Sequence, residues 1–374
     1  MKRLLIAAGG GGDAIAAVML HSALYGPAAP ALVLTYSWER LVVDPLPGPR
    51  GRAHLTGLRT PLPHLDLVTA RTAPIPPAGS SLPRLAADLP VELGLLDPYE
   101  GTAGLARTIA AAAEYCGAPR VDVVDVGGDI LTDGTEPTLR SPLGDALVLA
   151  ACARTGLPTE VWIAGPGLDR EIPERELFGR LPPAAFTLAA AHTEPVRRIF
   201  DWHPSEASAM LAAAARGARG RCAIRDVPEP LRLDDRSAGV HRLDLGRALA
   251  ANPLARRLTD RATLADRGNL ADAERASVEI CGFSEIARER DRAASFRPLA
   301  EVAPGAAELP ARFADWQADL RRQDVTLVTR RRVAEEFALG DRDLRTLAAG
   351  SAPEAFPLWT VTARHGGVTA RHGA

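Results

Sequence analysis

Lysine is almost missing from this chain: Lys2 is the only one in 374 residues, and all other basic side chains are arginine. A GC-rich genome accounts for the bias, but the consequence is chemical. Schiff-base catalysis, pyridoxal phosphate attachment and a Walker-type phosphate lysine each need an internal amine, so those classes are excluded. An excess of charge is lacking too. With 44 basic and 46 acidic residues the formal charge is −2, which gives no basic field for a nucleic-acid backbone. No apolar run reaches the roughly 20 residues of a membrane span, and the N-terminal run is too short and glycine-interrupted for a signal peptide. A cytoplasmic protein is expected, with neither nucleic acid nor membrane as partner. Cysteine is scarce: Cys116, Cys152, Cys222 and Cys281 show no metal-type spacing and read as reduced, packed thiols.

What the chain does have, through its first 190 residues, is a recurrence of short apolar runs. KRLLIAA, ALVLTYS, LDLVTA, PVELGLL, VDVVDV, TEVWIAG and AFTLAAA alternate with alanine-rich helical patterns such as TAGLARTIAAAAEYCG and SPLGDALVLAACARTG. Strand, loop, helix, strand is the signature of a parallel sheet covered by helices, so the pattern predicts an α/β fold with a doubly wound, mostly parallel, Rossmann-like sheet. The proline-rich stretch 45–90 breaks the rhythm and is expected to cross the surface or cover a sheet edge, where it could act as a lid. Beyond residue 228 strand signals almost vanish and amphipathic helices take over. The expected organisation is an α/β domain over 1–228, a helical C-terminal part over 229–350 packed on it, and an extended tail over 351–374.

Ligands of open parallel sheets bind outside the carboxyl ends of the strands, which makes the strand exits the place to look. The first exit is Gly9, Gly10, Gly11, Gly12, Asp13. Glycines there let backbone amides approach an anion at a helix start, and Gly9, Gly11 and Ala14 formally fit the dinucleotide pattern. Asp13 opposes that pattern, because its carboxylate already occupies the positive end of the helix. It reads either as a helix cap or as a group that meets ligand hydroxyls or a metal. The second exit carries Trp38, Glu39 and Arg40, a stacking surface with a charged clamp or else core and a solvated pair. PVELGLL ends in Asp97 before an acidic turn.

VDVVDVGGDILTDGTEPTLRSPLGDA concentrates the most chemistry: Asp125 interrupts a buried strand, Gly127 and Gly128 admit close approach, and Asp129, Asp133, Glu136 and Asp145 follow. So many carboxylates at one strand end call for a hard divalent cation, Mg²⁺ or Mn²⁺, unless they simply cap a polar loop. The next exit repeats the theme with Asp169 and Glu171 after two glycines. Three exits of the form strand, glycines, acid are harder to ascribe to capping than any one alone. Anion binding must fall to arginine, with Arg40, Arg50, Arg140, Arg170 and Arg225 in loop contexts. Among the histidines, His203 in DWHPSEASAML is the best placed for a base.

These pieces together resemble domain of unknown function family 1152 of archaea and actinobacteria. The likeness rests on GGGGD at 9–13, SWERLVVDPLPGPR at 37–50, DVGGDIL at 125–131 with SPLGDA at 141–146, and WHPSEAS with RGRCAIRD at 202–226. It spans roughly residues 1–340 and implies no established activity. Arg170 departs from the family pattern, which has glycine between the two acids.

The expectation is therefore an enzyme acting on a phosphorylated, nucleotide or sugar-nucleotide-like anion by metal-assisted transfer or hydrolysis. Asp129, Asp13 and Glu171 are the catalytic candidates, with Asp129 as general base. Asp125, Asp129 and Asp169 are the metal ligands, and Gly9, Gly10, Gly11, Gly12, Trp38, Glu39, Arg40, Asp97, Gly127, Gly128 and Glu136 are the ligand-binding set. Alternatives are a nucleotide-binding regulatory or assembly protein without chemistry, a lyase or cyclase, and an NAD-dependent oxidoreductase. The sequence specifies no organic cofactor, and enzymes of this kind commonly pair as homodimers.

Overall fold

The structure, a computed structural model, describes residues 1–10, 12–225, 229–260, 269–296, 308–340, 343–344, 347 and 355–361. Gly11, His365, His372 and most of the tail expected over 351–374 lie outside the described residues. Fifteen strands are present among them: β1 (Arg3–Ala7), β2 (Ala31–Tyr36), β3 (Leu55–Thr56), β4 (Arg59–Leu62), β5 (Leu65–Val68), β6 (Ala73–Pro74), β7 (Glu92–Leu96), β8 (Val121–Val126), β9 (Thr159–Ala164), β10 (Ala184–Thr187), β11 (Gly220–Ala223), β12 (Leu231–Leu233), β13 (Gly239–Asp244), β14 (Leu327–Val328) and β15 (Trp359–Thr360). Thirteen α-helices accompany them, giving a mixed α/β architecture.

The main sheet runs β10-β13-β9-β8-β1-β2-β7-β5-β4. Its five central strands are parallel, and β13 and β5 are antiparallel to them near the two edges. Successive residues of the central strands point to opposite faces, and both faces are buried. Leu5, Ala7, Val33, Leu93, Val124 and Trp162 join one core, while Leu4, Ile6, Leu32, Leu34, Val123 and Ile163 join another. Helix Asp13–Tyr25 belongs to the first core and helix Pro142–Thr155 to the second, and each is almost wholly buried because its sequence is apolar all round. From β1 the chain proceeds through β2 to β7 on one side, then returns to place β8 and β9 on the other. In the sheet β1 thus lies between β2, which follows it in the chain, and β8, which comes later.

Two expectations are corrected here. The stretch 45–90 does not merely cross the surface: it supplies β4 and β5, the antiparallel edge of the main sheet, and the small pair β3 and β6. The part beyond 228 is not helical alone. β13 enters the main sheet between β9 and β10, and β12, β14 and β15 complete a four-stranded sheet of order β12-β11-β14-β15. One face of this small sheet lies on the first core through Cys222, Leu231 and Leu327; the other is covered by helices Leu309–Arg322 and Arg330–Phe337 through Phe313, Phe337 and Trp359. No helix among the described residues is long and apolar enough to cross a membrane.

Candidate functional site

A cleft with a volume of about 180 Å³ opens over the carboxyl ends of β1, β2, β8 and β9. Gly9, Gly10, Gly12 and Asp13 after β1, Trp38 to Arg40 after β2, Asp129 after β8, and Asp169 and Glu171 after β9 all line it. The exits of β8 and β9 are tied together, since the Gly127 N–H donates to Ala164 O (3.1 Å) and the Gly167 N–H to Gly127 O (2.6 Å).

Three carboxylates gather here: Asp129 and Asp145 line the cleft, and Asp125, clustered with them, does not. Asp125 is the fifth residue of β8, Asp129 opens the turn beyond it, and Asp145 lies in the first turn of helix Pro142–Thr155. One oxygen from each lies within 4.8 Å of the others, with the residues 1%, 7% and 2% exposed. Asp125 Oδ2 and Asp145 Oδ1 have no hydrogen-bond partner among the described residues. At that separation each ionised pair repels by at least about 3 kcal/mol even with an effective dielectric constant near 20. Three such pairs rival the whole stability of a domain, so protons or a cation must neutralise them. Burial, then the neighbouring acids, accordingly push all three carboxyls well above the ordinary range.

Asp13 is half-buried at the rim, and its Oδ2 accepts the Gly9 N–H (3.0 Å). It is the first residue of helix Asp13–Tyr25 and caps no amide of that helix; Gly12 occupies the cap position. Burial raises its pKa to about 7, against the Gly9 hydrogen bond and Arg40. Asp169, also half-buried, accepts the Asp129 and Glu171 N–H groups (both 3.2 Å) and is raised to about 7 by burial and by Glu171. Arg170 between the acids adopts a left-handed φ of 60°, a conformation that favours glycine.

The structure gives several sequence-selected residues other duties. Glu171 accepts the Arg140 and Ser141 N–H groups (2.6 and 2.8 Å) and the Ser141 hydroxyl (2.6 Å), which fastens the β9 exit to the start of helix Pro142–Thr155. Glu39 accepts the Ser81 N–H and hydroxyl (2.7 and 2.6 Å). Trp38 donates Nε1–H to Glu289 and lies edge-on to Tyr36, so it is part of the wall. Asp97 is bound by the Arg52 and Tyr99 N–H groups, away from the cleft lining. Glu136 also lies outside that lining; despite its burial, Thr132, Asp133 and Arg180 hold it below the ordinary range. Gly127 and Gly128 shape the turn behind the carboxylate cluster and do not line the cleft. Of the five arginines, Arg40, Arg140 and Arg225 line it. Arg50 is buried on Asp44 and on the carbonyls of Leu46, Pro47 and Gly48, and Arg170 reaches Glu229. Burial pushes Cys116 and Cys152 up to about 11 and 12, and neither lines the cleft.

Other wall residues were not singled out as a site from sequence. Glu285 and Glu289 come from helix Glu285–Ser295 and accept the Leu143 and Gly48 N–H groups; Arg292 follows one turn later, and Arg331 comes from helix Arg330–Phe337. All four read as helical surface charge. Asp145 was counted among the acids that follow Asp125 but was not chosen as a metal ligand.

The fold and cleft define a class: mixed α/β proteins with a mostly parallel central sheet and an acid-lined pocket at its strand exits. Within it, the profile of the family described as "Protein of unknown function (DUF1152)" matches residues 4–293, and the chain belongs to that family. No curated protein and no solved structure matches it.

Proposed function

We propose that the protein is a divalent-cation-dependent enzyme acting on a phosphorylated small molecule, by transfer or hydrolysis at phosphorus or an anomeric carbon. The observation that carries this reading is the buried Asp125–Asp129–Asp145 cluster, two of whose oxygens have no partner among the described residues. Its donors are hard oxygens, the set that suits Mg²⁺ or Mn²⁺. A bound cation would neutralise the cluster and, as a Lewis acid, favour charge developing on a substrate oxygen. The doubly wound, Rossmann-like reading of the sheet supports it by placing the ligand where the winding reverses.

Asp13 is the general base in this proposal. A half-buried carboxyl poised near pH 7 suits proton transfer better than the enclosed Asp129, whose part is to hold the cation. Asp169 orients Asp129 through its N–H, and Glu171 positions the helix that carries Asp145. The Asp13 contact with the Gly9 N–H argues against a dinucleotide, whose pyrophosphate would compete for that amide.

The test is Mn²⁺ titration followed by electron paramagnetic resonance. One ion per chain is expected, with affinity falling at least about tenfold in Asp125→Asn or Asp145→Asn. Unchanged binding in both variants, or none in the wild type, would discard the cation. Asp13→Asn should keep the ion and lose turnover of phosphoester substrates; full turnover would leave the cation and remove Asp13 from its role.

A further inference from the structure

One wall of the cleft carries buried donors with no acceptor. His203 is 5% exposed; its Nδ1 accepts the Ser205 N–H (3.1 Å), which leaves the neutral ring's proton on Nε2. That Nε2 is buried and has no partner among the described residues. Arg331 is 8% exposed, pairs through Nε with Glu335 (2.9 Å), and has a buried Nη2 with no partner among the described residues. Both line the cleft beside Ser205 and Arg225. A buried donor left unsatisfied is costly, and two at one wall ask for a common acceptor.

The surrounding structure holds these donors in place. Glu335 binds the guanidinium groups of both Arg331 and Arg225. Glu206 Oε1 accepts the Arg225 N–H (2.9 Å) and the Thr329 hydroxyl, and Thr329 caps the helix that bears Arg331. Ser205 caps helix Glu206–Ala215, whose start also faces the cleft at Ala207. Two elements from distant parts of the chain are thus locked together with their free N–H groups on the same cavity.

We infer that His203 and Arg331 form an anion subsite for a terminal phosphate group. A phosphate monoester offers several acceptor oxygens to donors from separate residues, and guanidinium matches its geometry. The ligand class rests on the proposed function, but the subsite itself needs no cation. Arg331 lies beyond the matched residues 4–293, so recognition of the anion depends on the C-terminal part.

Inorganic phosphate titrated calorimetrically into the full chain with EDTA tests the subsite. Saturable binding is expected, weakened at least about tenfold in Arg331→Gln and several-fold in His203→Phe, while Mn²⁺ binding persists in both. Equal phosphate affinity in wild type and both variants overturns it, as does failure of the wild type to bind phosphate. Should Arg331→Gln not fold, the wild-type His203 Nε2 proton resonance decides: a shift on adding phosphate supports the subsite, and a static resonance overturns it. Mn²⁺ binding without phosphate binding removes the subsite alone. Phosphate binding without Mn²⁺ binding removes the cation reading alone.

Discussion

The turns after β1 and β8 share one sequence pattern, glycines followed by aspartate, and build different things. In the first, Gly12 sits in right-handed helical geometry, and the described glycines are required by contact: a Cβ on Gly10 would overlap Trp38 O, and one on Gly12 the Ser205 hydroxyl. The aspartate folds back onto its own loop. In the second, Gly127 and Gly128 adopt φ of 114° and 113°, and a Cβ on Gly127 would overlap the Asp169 carboxyl. Here the backbone reverses and brings Asp129 under Asp125. The same residues serve close packing in one place and a change of chain direction in the other.

Substitution separates these roles most sharply at Gly127. Gly127→Ala meets both a forbidden φ and a clash, and should cost about 4 kcal/mol in denaturant unfolding. Without divalent cations, pH comes next. Asp13 and Asp169 carry pKa values raised from 3.8 to about 7, so the folded protein holds more protons than the unfolded chain between those values. Their contribution to stability should be full below the ordinary carboxylate range and be lost progressively as pH rises from there through 7. Burial of His203 lowers its pKa from 6.5 to about 3 and acts oppositely, removing stability as pH falls between those values. Melting temperatures across pH should show this decline toward pH 7 reduced in Asp13→Asn, and a decline identical to wild type would show that Asp13 is not raised.

Packing in the first turn yields smaller effects. Gly10→Ala strikes backbone and should cost about 2 kcal/mol, whereas Gly12→Ala strikes only the Ser205 side chain, its hydroxyl and Cβ, and should cost about 1 kcal/mol. If Gly10→Ala exceeds Gly127→Ala, the contrast between the turns is wrong. Arg170→Gly is the mildest. Relief of the left-handed strain offsets a surface contact and the added freedom of the unfolded chain, leaving a change within about 0.5 kcal/mol in the same unfolding measurement. A loss well above that would give the Arg170 side chain a structural task.

The central parallel strands were legible because they are continuous apolar runs, buried on both faces, and the reversal rule directed attention to their exits. Asp13, Asp129, Asp169 and Glu171 do line one cleft. β13 was not legible: GVHRLD carries exposed Arg242 and Asp244 and reads like a surface segment, since its place in the sheet is set by partners nearly 80 residues earlier. The walls were hidden for a related reason. Glu285, Glu289, Arg292 and Arg331 occupy helices whose charge pattern is that of any solvated face, and only long-range packing turns those residues inward. Glu171 shows the reverse error, in which an acid at a strand exit is consumed by the amides of a neighbouring helix start.

The position of β13 also constrains the order in which the protein can be made. Among the described residues β10 pairs only with β13 in the sheet, so during synthesis it has no such neighbour until residue 244 has left the ribosome. Until then β9, hydrophobic and parallel, forms an open border able to capture a strand of another nascent chain. A genetic truncation near residue 228 would make that temporary exposure permanent, and its product should accumulate in inclusion bodies instead of yielding an isolated amino-terminal unit.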